Sequence, residues 1–375
     1  MTAPGVLPNS FAIAPISRIS PSRFIGLKSC WLREIWASHR LPALLPTNAR
    51  AHVGTIVHEM LAAAGRGELS SEAEVESYWV TLVSSTEQEM LSNWLEHSLV
   101  PLRKSVRNYS VDAFRAINKA REIALCREGR AVADVGSATG CGFELWVHTP
   151  DEKVCGYVDH AYYDGAGIVI RDYKSGYVFE STDAGGSVKE AFAIQLRLYA
   201  ALYSFTFAQW PNKLELMPTQ GPSVVVPFDP AECMNLVKEA KSLLYEINAT
   251  VLRTNEKHVS PAKLASPSAE TCCHCAYRPS CSAYLHIEKQ IDAGWPVDVW
   301  GIIKKIQPLM NGQLAVILET LHGMEVIRGI SPGGRHPALA NASPGQRLAI
   351  FNLQKSFPGG GLQEGLYTTI YQCSG

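Results

Sequence analysis

Asp159, Asp172 and Lys174 are the residues whose types and spacing most directly suggest chemistry. Asp172 and Lys174 lie in the run Ile170-Arg171-Asp172-Tyr173-Lys174-Ser175-Gly176, at the end of a predicted strand. Residues two apart on a strand point to the same face. A turn signal at Asp164-Gly165 predicts a hairpin that brings Asp159, on the preceding strand, beside them. Two carboxylates and an ammonium on one buried face are costly unless they bind something. Paired carboxylates can hold Mg²⁺ while leaving water positions open. A neighbouring lysine can orient or deprotonate a water that attacks phosphorus, while the cation stabilises charge on the phosphate oxygens. A solvated hairpin with a salt bridge is the plain reading of an isolated Asp-x-Lys. The apolar residues 168–170 just before Asp172 favour the partly buried strand.

A second constellation is Thr271-Cys272-Cys273-His274-Cys275-Ala276-Tyr277-Arg278-Pro279-Ser280-Cys281. The C-x2-C spacing places Cys272 and Cys275 on one ion or cluster, and Cys281 follows a proline-containing turn. Three ligands need a fourth. Zn²⁺ accepts Cys or His, so His274 or Cys30 could complete a zinc knuckle, whereas an iron–sulfur cluster usually takes four Cys.

These residues need elements to position them. Residues 20–37 predict an amphipathic helix, with Phe24, Leu27 and Trp31 at helical spacing, and a second helix runs from about Thr47 through His58 to Ala63. Residues 70–128 keep a helical pattern with few breakers apart from Pro101, which predicts a helical insertion over about 66–130. Strands are expected over 143–148, 154–163, 168–173 and 223–228, and helices over 189–206 and 231–252. The result is an α/β domain over 1–290. Past about Asp292, five short strands (299–306, 314–320, 325–330, 347–353 and 367–371) predict a small barrel over 292–375, with the oligonucleotide-binding (OB) fold as the leading candidate.

In their order along the chain, Gly54-x-x-x-His58, Gly156-x-x-Asp159, Asp172-x-Lys174 and Gln195-x-x-x-Tyr199 resemble the RecB-type branch of the PD-(D/E)XK nucleases, over about residues 16–285. The resemblance implies a mixed central sheet flanked by helices that binds Mg²⁺ or Mn²⁺. It implies that His58 and the main-chain carbonyl of Tyr173 join Asp159 and Asp172 around the metal. It also implies that Gln195 and Tyr199 support the site or contact DNA. Within this branch, AddB-type and CRISPR-associated exonucleases carry one Cys before the core and C-x2-C-x5-C after it, and they bind a [4Fe–4S] cluster. Cys30, Cys272, Cys275 and Cys281 match that pattern, so the resemblance implies a cluster that fastens the two ends of the nuclease domain.

The composition fits a folded protein, since 46% of residues are hydrophobic and 18% charged. A formal net charge of −1 excludes a globally basic surface, so contacts to nucleic acid must form local patches. No apolar run is long enough to span a bilayer, and residues 1–15 lack the order of a secretory signal, which together predict a cytoplasmic protein without membrane contact. No G-x-x-x-x-G-K-[ST] loop is present, so a motor must come from a helicase or another partner, in repair or in defence against foreign DNA. The expected activity is metal-dependent hydrolysis of single-stranded DNA or duplex ends, most simply by an exonuclease. Two rival readings are a silent nuclease-derived scaffold that binds DNA or protein, and a zinc-stabilised interaction protein. The C-terminal strands would deliver single strands, or else dock protein.

Overall fold

The computed structural model describes residues 4–8, 11–128, 140–180, 186–219, 221–288, 294–356 and 361–373. The chain begins with helices. α1 (Pro21–Ser29) carries proline in its first turn, where the missing N–H would be unpaired in any case. α2 (Trp31–Ser38) follows at once. The sequence predicted one continuous helix here. The break falls at Cys30, whose backbone is extended, and Gly26 permits the tight corner, because a Cβ there would lie 2.7 Å from Glu34 Oε1.

α3 (Ala49–Arg66) is capped by the Asn48 side chain, which accepts from Arg50 N, and is closed by Gly67 at φ 81°. α4 (Glu72–Ser92) opens on a reciprocal capping box between Ser71 and Glu74. α5 (Leu102–Ser105) and α6 (Tyr109–Glu128) complete the predicted helical stretch. They pack with α3 and α4 around Val57, Met60, Leu61, Trp79, Met90 and Ala116.

Three antiparallel strands follow: β1 (Gly142–His148), β2 (Cys155–Tyr163) and β3 (Ile168–Lys174). α7 (Glu190–Phe207) then crosses over to β4 (Lys213–Pro218), which lies parallel to β3, and β5 (Val224–Val226) closes the edge. A parallel pair needs such a crossover. β4 was not anticipated from sequence, because Lys213 and Glu215 interrupt its apolar pattern and Pro218 ends it. Leu214 and Leu216 face the α7 side, and Glu215 is buried on the other. α8 (Pro230–Glu256), capped by Asp229, packs beside α7. The sheet therefore has two dressed faces. Ile168, Ile170, Leu214 and Leu216 meet α1, α7 and α8, whereas Tyr173 and Met217 meet α3 and α6.

Two short helices, α9 (Ala269–Cys273) and α10 (Ser282–His286), lead into a second sheet. Its strands are β6 (Val299–Pro308), β7 (Leu314–Thr320), β8 (Gly323–Ile330), β9 (Arg347–Phe351), β10 (Gln354–Lys355), β11 (Leu362–Gln363) and β12 (Thr369–Gln372). The order is β10-β11-β8-β7-β6-β9-β12, and β11/β8 is its one parallel strand pair among the described residues. All five strands expected from sequence are present, with two two-residue strands added. No helix among the described residues is long and apolar enough to cross a membrane.

The second sheet is tied to the first half at several points. Val6 bridges Gln372, and Tyr371 Oη donates to Leu44 O at 2.6 Å. Leu44, Leu45, Phe351 and Tyr371 form a shared apolar cluster. The strongest tie is Arg278 with Asp298, whose side chains are 3% and 0% exposed. Arg278 donates to Asp298 through Nε at 2.7 Å and Nη2 at 3.2 Å, and Asp298 also accepts from Tyr284 Oη and Asn352 N. Asp298→Ala strands a buried guanidinium and is expected to cost about 3–5 kcal/mol in urea denaturation. Replacing both residues with apolar ones of similar volume costs far less; equal losses for the two variants would show that the pair is not held as described.

Candidate active site

The C-terminal end of β3 meets α7. Asp172 is 2% exposed. Its Oδ1 accepts from Gln195 Nε2 at 2.9 Å, and its Oδ2 lies 2.6 Å from Lys174 Nζ. That second contact is an ion pair without a well-angled hydrogen bond, so Oδ2 keeps unused lone pairs although it is buried. Lys174 Nζ also donates to Gln195 Oε1 at 3.2 Å and sits 4.7 Å above the Phe192 ring. The amide of Gln195 thus offers one end to the acid and the other to the base. Asp172 and Lys174 share a face because they are two apart on a strand, and that is the face α7 covers.

Asp159 enters from β2. Its Oδ2 accepts from Tyr173 N at 2.8 Å and lies 3.6 Å from His58 Nδ1. His58 comes from α3, on the opposite side of the sheet from α7. Gly54, one turn earlier on the same helix face, brings α3 against the end of β3, since a Cβ there would lie 3.1 Å from Ser175 Oγ. Gly156 has the matching role on β2, where a Cβ would lie 3.3 Å from Tyr199 Cε1. Tyr199 is buried there, one helical turn after Gln195. His52, the other histidine on α3, is not part of the site and pairs with Glu96 at 3.3 Å. The fold therefore gathers His58, Asp159, Asp172, Lys174, Gln195 and Tyr199 at one place. The Tyr173 backbone lines it, while the Tyr173 ring turns into the α3 cluster.

Burial dominates the electrostatics. Desolvation first, and the Asp172 carboxylate second, push Asp159 up to about 7. Burial also raises Asp172, against the pull of Lys174. Burial lowers the His58 pKa, which favours the neutral, ligating form of the imidazole. Burial pushes the Tyr199 phenol up, and the two carboxylates add to that shift.

Behind the site is a polar cluster that the sequence reading missed. Arg171, between Ile170 and Asp172, points to the other face and donates to Glu215 Oε2 through Nε at 3.0 Å and Nη2 at 2.8 Å. Tyr162 Oη donates to the same oxygen at 3.1 Å, and Lys213 pairs with Glu215 as well. The cluster ties β2, β3 and β4 together directly behind Asp172. Its one sequence signal was a lone Glu between two leucines. Burial lowers His160, beside it, to about 3, and His160 stacks on Phe143 with ring centroids 3.8 Å apart.

The second constellation also converges. Cys30, Cys272, Cys275 and Cys281 line one small cavity, with Arg278 and Tyr284 at its wall. Cys30 reaches it from the α1–α2 break. Arg278 Nη1 donates to the carbonyls of Cys272 and Cys275. Burial pushes the Cys275 thiol up to about 12 and the Cys281 thiol up to about 11. Cys273 is exposed, with its thiol directed to Glu270 O. Among the described residues, no set of three or more His, Cys, Asp or Glu side chains is arranged as a ready metal cage. At the first site, Lys174 and Tyr173 N occupy the carboxylates instead.

The family model of the PD-(D/E)XK nuclease superfamily matches residues 18–282. The match covers 265 of the 375 residues and spans both constellations. The chain belongs to the PD-(D/E)XK nuclease superfamily, a class whose members use divalent metal ions. No curated protein and no solved structure gives a significant match.

The raised Asp159 pKa has a consequence for stability. A carboxyl whose folded pKa lies near 7, against 3.8 when unperturbed, contributes its full stabilisation below about pH 4 and loses it as pH rises through about 7. Asp172 shifts the same way, so the pair titrates together. In EDTA, the melting temperature is expected to fall between pH 4 and pH 7. Asp159→Asn should flatten that fall and melt a few degrees higher than wild type at pH 8. A wild-type profile that is flat over this range would contradict the burial of these carboxylates.

Proposed function

We propose that the chain is a Mg²⁺- or Mn²⁺-dependent deoxyribonuclease of the RecB-type branch, an exonuclease acting on single-stranded DNA or duplex ends. The observation that carries this reading is the meeting of Asp159, Asp172 and Lys174 at the mouth of one hairpin, with His58 delivered from the opposite side of the sheet. Two carboxylates and an imidazole are a fitting donor set for such an ion, and the buried Oδ2 of Asp172, which has Lys174 Nζ at 2.6 Å but no well-angled hydrogen bond, keeps lone pairs for one. Asp159, Asp172, His58 and the main-chain carbonyl of Tyr173 would hold the metal. Once bound, it would supply an activated water and neutralise charge on the phosphate oxygens. Lys174 holds the attacking water, and Gln195 fixes Lys174 relative to Asp172. Tyr199 walls the site and supports Gln195.

We also propose that Cys30, Cys272, Cys275 and Cys281 hold a [4Fe–4S] cluster. Four buried thiols around one cavity suit an all-cysteine group, and His274 does not line that cavity. Thiols with pKa values raised this far would stay protonated at neutral pH unless a metal held them as thiolates. Residues 1–290 then act as the nuclease domain, with an insertion over about 66–130. Residues 292–375 act as an OB-like barrel. Supporting the barrel, β11 and β12 follow one another and pair with β8 and β9 respectively. The sheet would close through β6-β7-β8-(β11/β12)-β9 if these two short strands acted as one interrupted strand. These 375 residues carry no phosphate-loop motif, and a cytoplasmic nuclease of this kind would work beside a helicase or a defence-system partner.

Three measurements test the reading. End-labelled linear and circular single strands with Mg²⁺ or Mn²⁺ report activity and the need for ends. Lys174→Ala should fall by about a hundredfold or more while still binding metal. Asp172→Ala should lose cleavage and bind metal weakly. A folded Lys174→Ala protein that cuts at the wild-type rate overturns the site. Protein purified without oxygen should be brown, with iron and sulfide. Cys275→Ala should bleach it and lower its melting temperature, and Cys233→Ala should leave the colour. One zinc per chain without iron, in a preparation shown not to have lost metal, would make the centre a zinc knuckle.

A further inference from the structure

The outer ends of β1 and β2 carry a surface that the catalytic reading does not use. Leu145 and Val147 point into the core beneath α7, so Trp146 between them points to the opposite face of the sheet. That is the face on which α3 carries His58. Trp146 pairs across the ladder with Tyr157, and their ring centroids lie 4.7 Å apart at 53°. Tyr157 is 58% exposed. The guanidinium of Arg18 sits 5.3 Å above the Trp146 ring, and it forms no ion pair with a carboxylate among the described residues. Tyr157 lies two residues before Asp159 on β2, a separation of about 7 Å along the strand.

An exposed tyrosine ring backed by a half-buried tryptophan, beside a cation that no carboxylate pairs with among the described residues, is well suited to one ligand. A nucleobase stacks on such rings, and the phosphate beside it meets the guanidinium. A peptide or lipid surface would call for a wider apolar area, whereas here the rings are narrow, flanked by charge and continuous with the phosphate-cleaving centre. A paired base hides its faces within the duplex stack, so the ligand must be unpaired.

We propose that Arg18, Trp146 and Tyr157 form a stacking site for an unpaired base of single-stranded DNA, next to the nucleotide whose phosphate reaches Asp159. The proposal rests on reading the neighbouring site as that of a DNA nuclease and deepens it: the substrate strand enters unpaired along the outer ends of β1 and β2. Tyr157 stacks the base, Trp146 backs Tyr157, and Arg18 binds the adjoining phosphate.

The test is binding of a labelled single-stranded oligonucleotide to the full chain in EDTA, where cleavage cannot confuse the result, at several salt concentrations. Tyr157→Ala should weaken binding about tenfold at every salt concentration, with an unchanged slope of log affinity against log salt. Tyr157→Phe, which keeps the ring, should bind like wild type. Arg18→Gln should reduce the slope by about one. An abasic strand should bind wild type no better than a normal strand binds Tyr157→Ala. If Tyr157→Ala binds as tightly as wild type, or if wild type holds abasic and normal strands equally, the stacking site is wrong even where cleavage by the wild type is intact. Loss of cleavage with this binding pattern preserved would sink the nuclease reading and leave the stacking site standing.

Discussion

The carboxylate of Asp172 is almost wholly buried, and the arrangement around it follows from what that burial demands. A lone ionised carboxylate in such a place would neutralise or unfold its surroundings. Here Gln195 donates to one oxygen and the Lys174 ammonium faces the other. Both partners are dictated by backbone geometry: Lys174 by the two-residue period of β3, and Gln195 by the crossover helix that a parallel β3–β4 pair requires. The opposite face is stabilised separately, because Arg171 cannot share Asp172's side. It finds Glu215 on β4 instead, a 3%-exposed partner held also by Lys213 and the Tyr162 hydroxyl. One strand thus places two charged systems back to back, and the strand order decides which charges meet.

The thiol cavity solves a similar problem at longer range. Its four cysteines come from a helix break near the N-terminus and a turn-rich segment after α8, so the cavity exists only when both ends of the first half are in place. Arg278 faces it on one side through the carbonyls of Cys272 and Cys275, and on the other side it reaches Asp298 and Asn352. Asn352 in turn donates to Tyr367 O, and the Tyr367 hydroxyl meets Ala49 N and Asn48 Oδ1 at the start of α3. α3 is the helix that carries His58. The second sheet therefore touches both the thiol cavity and the helix that delivers the histidine to the candidate site beside Asp159 and Asp172. Its removal would expose more than a linker.

Much of this was legible in the sequence because the informative residues obey short periods. Asp172 and Lys174 follow the strand period, Gly54 and His58 the helix period, and Gln195 and Tyr199 the helix period again. The glycines were readable as motif letters, but their physical reason was not, since Ser175 and Tyr199 become neighbours only in the folded chain. The helix break at Cys30 escaped notice because residues 20–37 keep one helical stripe throughout, and only the corner at Gly26 distinguishes one helix from two. β4 escaped because Glu215 reads as a surface residue until Arg171 is placed opposite it. The network from Arg278 to Tyr367 has no local signature, for its members are separated by long stretches of chain and each alone is an ordinary polar residue.

The backbone at Glu144 shows how closely the two faces depend on each other. Regular alternation would put Phe143 on the same face as Leu145 and Val147, beneath α7. Phe143 instead stacks on His160 and packs against Gly65 of α3, where a Cβ would overlap its ring. The reversal happens at Glu144, which sits at φ 48° between the Phe143–His160 and Leu145–Val158 pairs, the same gap in the ladder that holds Asp159. A non-glycine residue in that region costs about 1–3 kcal/mol and persists only where its surroundings enforce it. The Phe143–His160 stack on one side and the Arg66–Glu144 ion pair at 3.2 Å on the other supply that enforcement. The reversal lets β1 serve both layers in turn: Leu145 and Val147 feed the α7 core, and Phe143 covers the α3 side. Asp159 falls at the crossing point, which is why a single carboxylate on β2 can face Asp172 below α7 and His58 on α3 together.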